Sequence, residues 1–269
     1  MKHFSLIIFL LGFGFSIYSQ DSISTYYNIN WKKCDKTEAA YFRVIKHPSN
    51  KIWVANDYYI SGEIQMIGHY SDKKCTKKEG DFFYYFKNGQ VSQKVSYNNN
   101  LLDGTRYAYF VDGSVSEQGE YKLGKKNGGF KYLYKSGTVA WYEQFRMDTL
   151  ILKELWNDKS QELDPEFPPY MQAFIAGGSK TLYYLISENF SYPNQYLNKD
   201  CKIDVEVFFN VSAEGKISDV KVKGAQEKWM ETEMIRVFSL MPKWHPALDH
   251  LRPIDSEVSL PIILKHKGQ

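Results

Sequence analysis

The 269-residue chain is 43% hydrophobic and 24% charged, the balance of a globular protein, and this excludes wholesale disorder. Its 34 Lys and Arg against 31 Asp and Glu leave a net charge of +3, too even for a protein built to grip a nucleic-acid phosphate backbone. The departure from average is aromatic, at 16%, and uneven: 12 of the 21 Tyr, 11 of the 18 Gly and none of the 9 Pro lie between Tyr58 and Phe145. A Tyr- and Gly-rich, Pro-free middle between Pro-bearing ends predicts two architectures in one chain, which the length accommodates at ~150 residues per domain.

The first twenty residues read as a secretory signal. Lys2 and His3 give a short basic start, and Phe4 to Ile17 is an almost unbroken apolar run. At about fourteen residues that run falls short of the ~20 that span a bilayer, which favours a cleaved signal over an anchor. Residues 1–19 are therefore expected to be removed after Ser19, leaving Gln20 first and the protein in the periplasm. The alternative is an inner-membrane anchor formed by an uncleaved signal. No Cys follows the apolar run, which argues against a lipid-anchored N-terminus. Residues 20–54 form a lead-in segment.

The three cysteines, Cys34, Cys75 and Cys201, leave at least one thiol unpaired. Cys34 and Cys75 either form a disulfide or stay free, and Cys201 is expected as a buried free thiol. No Cys-x-x-Cys or His-x-x-x-His spacing suggests a metal.

From residue 55 to 150 the chain repeats itself. Gly80, Gly104 and Gly128 step by 24, as do Gly89, Gly113 and Gly137; Phe86, Phe110 and Tyr134; Val91, Val115 and Val139; and Tyr97, Tyr121 and Phe145. An earlier copy with Tyr59, Gly62 and Tyr70 stands 27 residues before, the extra three falling in the basic stretch Lys73 to Lys78, read as a solvated loop. Asn88-Gly89 and Asp112-Gly113 are hairpin turns, because Gly tolerates positive φ. Aromatic and β-branched residues on either side suit pleated strands. Each unit is thus a β-hairpin, marginal alone, that gains a core by stacking on its neighbours. These residues resemble the MORN repeat of exported bacterial proteins over residues 55–145. The resemblance implies an elongated single-layered β-sheet, no catalytic residue, and contacts with other proteins.

After a linker over 151–167 the texture changes. Gly177-Gly178 is a chain break, with Ser179 expected as the N-cap of a helix whose Leu182, Leu185, Ile186 and Phe190 share a face. Tyr192-Pro193 ends it. Cys201, Ile203, Val205, Val207, Phe209 and Val211 then alternate with polar residues, a strand with one buried face. Glu214-Gly215 turns the chain into a second strand over 217–222. Met230, Met234, Val237, Phe238 and Met241 mark a second amphipathic helix closed by Pro242. Val258, Leu260, Ile262 and Leu264 share one side of the last strand.

This α-β-β-α-β order, with Gly177-Gly178, Tyr192-Pro193, the run Met241-Pro242-Lys243-Trp244-His245-Pro246-Ala247 and Leu260-Pro261-Ile262, resembles the TonB C-terminal domain across residues 168–265. Ala176 replaces the usual proline of that family's Pro-Gly-Gly. The resemblance implies a small α+β domain with a three-stranded antiparallel sheet, occupying 168–269 of a mostly β chain. Gly177, Gly178, Tyr192, Pro193, Pro242, Trp244, Pro246 and Pro261 then belong to its structural motif. It also implies a periplasmic module that captures an extended segment of an outer-membrane protein along its last strand, through Glu257, Val258, Ser259, Leu260, Ile262 and Ile263, by main-chain pairing. Pro261 supports an edge position there, having no N–H to donate.

No nucleophile–base pair, phosphate loop or zinc motif is present. His245 reads as structural, Asp200, Asp204 and Glu206 as a solvent face, and Asp57 and Glu63 as acids without partners. The expectation is a non-enzymatic envelope protein with no cofactor, metal or nucleic acid and only indirect membrane contact. Its partners are envelope proteins, TonB-dependent outer-membrane receptors among them, or a second copy through the last strand. Two alternatives remain: a membrane-tethered energy transducer for TonB-dependent transport, and a structural scaffold whose repeats do the binding. Against the transducer, Ser49 to Asp164 lacks the Pro-rich reach such a protein needs.

Overall fold

A computed structural model describes residues 23–49 and 51–268. The signal sequence expected over residues 1–19 lies outside them. The chain is mostly β and divides into two compact units, Met1–Asp103 and Gly104–Gln269. No helix among the described residues is long and apolar enough to cross a membrane.

In the first unit, β1 (Ile23–Tyr27), β2 (Tyr41–Ser49), β3 (Ile52–Tyr59), β4 (Ile64–Tyr70), β5 (Lys78–Tyr85) and β6 (Val91–Asn98) pair in sequence order as an antiparallel meander, and β7 (Leu101–Leu102) folds back on β6. In the second unit the same pattern runs through β8 (Gly104–Tyr109), β9 (Val115–Lys122), β10 (Lys125–Leu133), β11 (Val139–Arg146) and β12 (Thr149–Leu155).

Two turn types alternate along these meanders. In the first, spanning 59–63, 86–90, 110–114 and 134–138, the first residue's N–H donates to the fifth carbonyl and the fourth N–H donates back to the first carbonyl, all at 2.8–2.9 Å. The fourth residue, Gly62, Gly89, Gly113 or Gly137, has φ between 84° and 107°. This is a type I turn with a glycine bulge, which puts the repeat's turn glycine where a Cβ is strained. Trp31 and Ser160 hold the same position in 28–32 and 157–161 with φ of 56° and 59°, so the turn extends beyond the glycine register. The second type has two central residues at positive φ: Asn99-Asn100, Leu123-Gly124 and Met147-Asp148. That is the type I′ hairpin, whose twist matches the strands.

Aromatics fill the stack as the repeat implies. Phe82 is edge-on to Tyr70 and Tyr97 at 5.1 and 4.9 Å, and Phe130 to Tyr121 and Phe145 at 5.3 Å each. Each ring lies over the glycine opposite it, Gly68 or Gly119, where a Cβ would stand 2.3 Å from a ring carbon. Lysines cover the outside of both clusters, Lys78 over Tyr97 at 4.4 Å and Lys126 over Phe145 at 4.5 Å. In the intervening repeat Arg106 takes the place of Phe82 and Phe130 and forms an ion pair with Glu117.

Asp57 corrects the expectation of an unpartnered acid. It is 1% exposed and receives two hydrogen bonds from Arg43, at 2.6 and 2.7 Å. Burial alone would lower the Arg43 pKa, but the hydrogen bond and charge of Asp57 outweigh it and leave it raised. Glu63 accepts a hydrogen bond from Ser61. Nor is the Lys73–Lys78 stretch wholly solvated. Asp72 accepts from the backbone N–H of Thr76 and Lys77, and Cys75 turns inward at φ 53° into the core of this unit.

Beyond β12 a single isolated bridge joins Trp156 to Glu162 across the 157–161 turn, and the segment holding Pro165, Pro168 and Pro169 forms no strand before Tyr170. The chain then forms β13 (Tyr170–Met171), α1 (Gly178–Asn189), β14 (Cys201–Val211), β15 (Ile217–Lys223), α2 (Lys228–Ser239), β16 (Ala247–Asp249), β17 (Arg252–Ile254) and β18 (Ser256–His266). The strands make two small antiparallel sheets, β13-β16-β17 and β15-β14-β18.

Candidate partner-binding edge

The β15-β14-β18 sheet has one covered face. Ile203, Val205, Val207, Phe209 and Val211 of β14 and Ile262 of β18 pack on Leu182 and Ile186 of α1 and on Met230, Met234, Val237 and Phe238 of α2. Helical spacing in the sequence anticipates these faces. Ser179 does not cap α1: the helix starts at Gly178 with Gly177 as N-cap at φ 80°, since two successive residues at positive φ are needed there and only Gly supplies both cheaply. α2 stops at Ser239, so Met241 packs on the core from beyond the helix.

The other motif residues hold this core together. Tyr192 stacks on His266 at 4.4 Å, and burial raises its pKa. Pro193 precedes a short 3-10 turn. Trp244 is buried against Phe209, and its backbone N–H donates to the Gly215 carbonyl at 2.9 Å. A Cβ on Gly215 would meet the Trp244 carbonyl oxygen at 2.1 Å, so the hairpin glycine and the Trp-His-Pro run constrain each other. Pro242 is exposed and Pro246 half-buried. His245 stacks on Phe174 and pairs with it through the backbone, a structural placement. Cys201 is free but half-exposed rather than buried, because it opens β14 instead of lying within it. Cys34 and Cys75 are separate thiols, Cys75 buried in the first unit's core and Cys34 on the loop after β1.

The sheet's two outer edges differ. β15 is blunted: Asp219 sits at φ 53°, and the β14–β15 register shifts between Phe208 and Asn210, a bulge of the kind that protects edges. β18 pairs with β14 in unbroken register over eleven residues, from Cys201 opposite His266 to Val211 opposite Ser256, and among the described residues no strand pairs with its other side. Pro261 lies opposite Glu206 without disturbing the ladder. Its nitrogen therefore turns outward, and strand alternation puts the N–H and C=O groups of Glu257, Ser259, Ile263 and Lys265 on the same open side.

Both ends of β18 are tied toward β14. Asp255 accepts from Ala213 N–H at 2.8 Å, Gly268 N–H donates to Asp200 at 3.1 Å, and the His266 ring meets the Leu197 carbonyl at 3.0 Å. Val258, Leu260 and Leu264 face the helices half-buried, whereas Glu257, Ser259, Pro261, Ile263 and Lys265 are exposed, Ile263 at 46%. Ser259 Oγ donates to Glu206 at 2.5 Å across the exposed face, where Asp204 pairs with Lys202 and Asp200 takes up the tail. The result is a continuously paired, anchored, half-apolar edge whose outer main-chain groups no strand among the described residues takes up. Among the described residues no group of three or more His, Cys, Asp or Glu side chains could hold a metal.

One further feature has no counterpart in the sequence pattern. The β16–β17 hairpin turns through His250-Leu251, both at positive φ, and seats them on the β10–β12 core. His250 stacks on Tyr132 at 3.7 Å and stands edge-on to Trp141 at 5.0 Å. Arg252, 9% exposed, donates to the Ser116 carbonyl and to Asp249, each at 2.7 Å. Burial, then neighbouring acids, raises the Tyr132 pKa. Neither His250 nor Leu251 is a residue type that marks a type I′ turn, so no local signal announces this one.

No protein-family model matches this chain, and no curated protein matches it.

Proposed function

We propose that this chain is a non-enzymatic, exported envelope protein. Its repeat sheet is a scaffold, and its C-terminal module captures an extended segment of an outer-membrane partner as an extra strand on β18. The observation that carries the reading is the eleven-residue β18, anchored at both ends and open along its outer side. Main-chain hydrogen bonds supply the affinity in this mode, and the half-exposed Val258, Leu260 and Leu264 add apolar area. The resemblance of residues 168–265 to the TonB C-terminal domain and of residues 55–145 to MORN repeats points the same way and favours a partner in the envelope. The test is recovery of envelope proteins by the full chain with and without Ser259→Pro. Recovery lost with Ser259→Pro supports capture at β18, and recovery unchanged rejects it.

The seating of His250, Leu251 and Arg252 on the β10–β12 core favours a second reading, a structural scaffold in which the C-terminal module closes the repeat sheet and the repeats bind. Closure uses β16 and β17, not β18, so Ser259→Pro leaves a repeat-bound partner in place.

A further inference from the structure

We propose that the second unit holds a small-molecule site for a compact aromatic carboxylate, in a cleft of about 300 Å³ where the repeat turns 110–114 and 134–138 meet the β14–β15 turn and β17. That volume is at the small end of ligand sites. At ~30 Å³ per water it holds roughly ten non-hydrogen atoms.

The apolar half of the cleft comes from the repeat. Phe110 and Tyr134 step by 24, and each opens a bulge turn. Both are half-buried and both line the cleft. The Tyr134 hydroxyl donates to the Trp156 carbonyl at 3.0 Å, which commits its proton and holds the ring in place. Ala213 and Pro253 supply the apolar lining from the C-terminal module. Two aromatic rings and a proline around so small a space suit a flat apolar ring.

Arg252 supplies the polar end. A guanidinium carries five N–H donors. Three of them reach the Ser116 carbonyl, the Asp249 carbonyl and the Asp249 carboxylate, at 2.7, 3.2 and 2.7 Å. The other two have no acceptor among the described residues, on a side chain that is 9% exposed and lines the cleft. Leaving donors unmet on a desolvated cation is costly, and an oxygen anion makes the strongest bonds to them. Lys135, exposed on the same lining, adds a second positive charge. Asp249 already answers the charge of Arg252, and the exposed Glu214 opposes an incoming anion. The balance therefore suits a single carboxylate and not a phosphate or a dianion. No residue of β18 lines the cleft, so the site does not rest on strand capture.

The test is saturation-transfer NMR on the full chain with phenylacetate, which matches the cleft in size. Phenylacetamide removes the charge and acetate removes the ring. Phenylacetate should bind with Kd of roughly 0.1–1 mM, phenylacetamide about tenfold more weakly, and acetate not detectably at about 10 mM. Lys135→Glu should weaken phenylacetate about fivefold, and Glu214→Gln should tighten it about twofold. Ala213→Leu should abolish binding by filling the cleft, with the thermal midpoint checked against the parent's. A parent chain that binds no phenylacetate up to about 10 mM overturns the proposal. So does equal binding of phenylacetamide, or binding unchanged in a folded Ala213→Leu variant. If Ala213→Leu does not fold, binding indifferent to both Lys135→Glu and Glu214→Gln overturns it instead, since the ligand would then lie elsewhere.

Discussion

Phe130 and Gly119 offer a test of the repeat core in which the sign of one substitution reverses. Gly119 lies in β9 with ordinary φ, so alanine there should gain roughly 0.5–1 kcal/mol from reduced backbone freedom. Its Cβ, however, would stand 2.3 and 2.4 Å from two carbons of the fully buried Phe130 ring, which Tyr121 and Phe145 hold edge-on from either side. The ring has nowhere to go, so Gly119→Ala is expected to destabilise by about 1–3 kcal/mol. Phe130→Ala alone should cost about 3–5 kcal/mol through lost burial and the cavity left behind. In the Phe130→Ala background the clash is gone and the methyl added at position 119 projects into that cavity, so Gly119→Ala should become stabilising. The coupling between the two changes is then about 2–4 kcal/mol. Urea unfolding followed by tryptophan fluorescence reads it, since Trp141 shares the core with Phe130. If Gly119→Ala costs the same in both backgrounds, the ring is not resting on the glycine and the stack is not built this way.

Arg252→Ala removes the donor to the Ser116 carbonyl and the ion pair to Asp249, so it should destabilise by about 2–4 kcal/mol, with Arg252→Lys recovering only part; a change below about 0.5 kcal/mol would mean that the β16–β17 hairpin is not held on the repeat sheet. The hydrogen bond from His250, aided by its charge and that of Arg252, holds Asp249 below the usual carboxylate range against the opposing effect of burial. A carboxylate depressed in the folded state stabilises above its unfolded pKa of ~3.9 and loses that contribution as pH falls through its folded value. Asp249→Asn should therefore lower the thermal midpoint near neutrality, with the difference from the parent shrinking below about pH 4; a constant difference across that range would contradict this. Ile262→Lys, at a side chain 1% exposed, should cost about 3–5 kcal/mol and unfold the C-terminal core. Ser259→Pro removes only an outward N–H and the hydroxyl contact with Glu206, so its thermal midpoint should stay close to the parent's.

Sequence spacing carried far in some elements and not in others, for physical reasons. The step of 24 is visible because the bulge turn needs positive φ at one residue, and glycine fills that need at 89, 113 and 137, as it does at 62 in the copy 27 residues earlier. It fades at Trp31 and Ser160, which adopt the same turn without glycine. The alternation from Cys201 to Val211 marks β14 because one face meets two helices. The partnership of Arg43 with Asp57 is invisible to periodicity, being a cross-strand match between β2 and β3. The hairpin at 247–254 escapes because its strands are three residues long and its turn lacks Asn or Gly. Of the candidate edge, the strand, its buried face and the outward proline were legible. That its ends are fastened toward β14 was not, because those bonds come from Asp200, Leu197 and Ala213, all distant in sequence.

The central claim is that β18 receives an extended segment of another envelope protein. A photo-reactive amino acid placed at Ile263 in the full chain tests it in cells, because this side chain is exposed beside the open backbone groups. The predicted result is a cross-link from Ile263 to an envelope protein, lost when Ser259→Pro is added, beside any cross-link to a second copy. Cross-links to envelope proteins from the exposed repeat residue Val111, with none from Ile263 beyond a second copy, would contradict it.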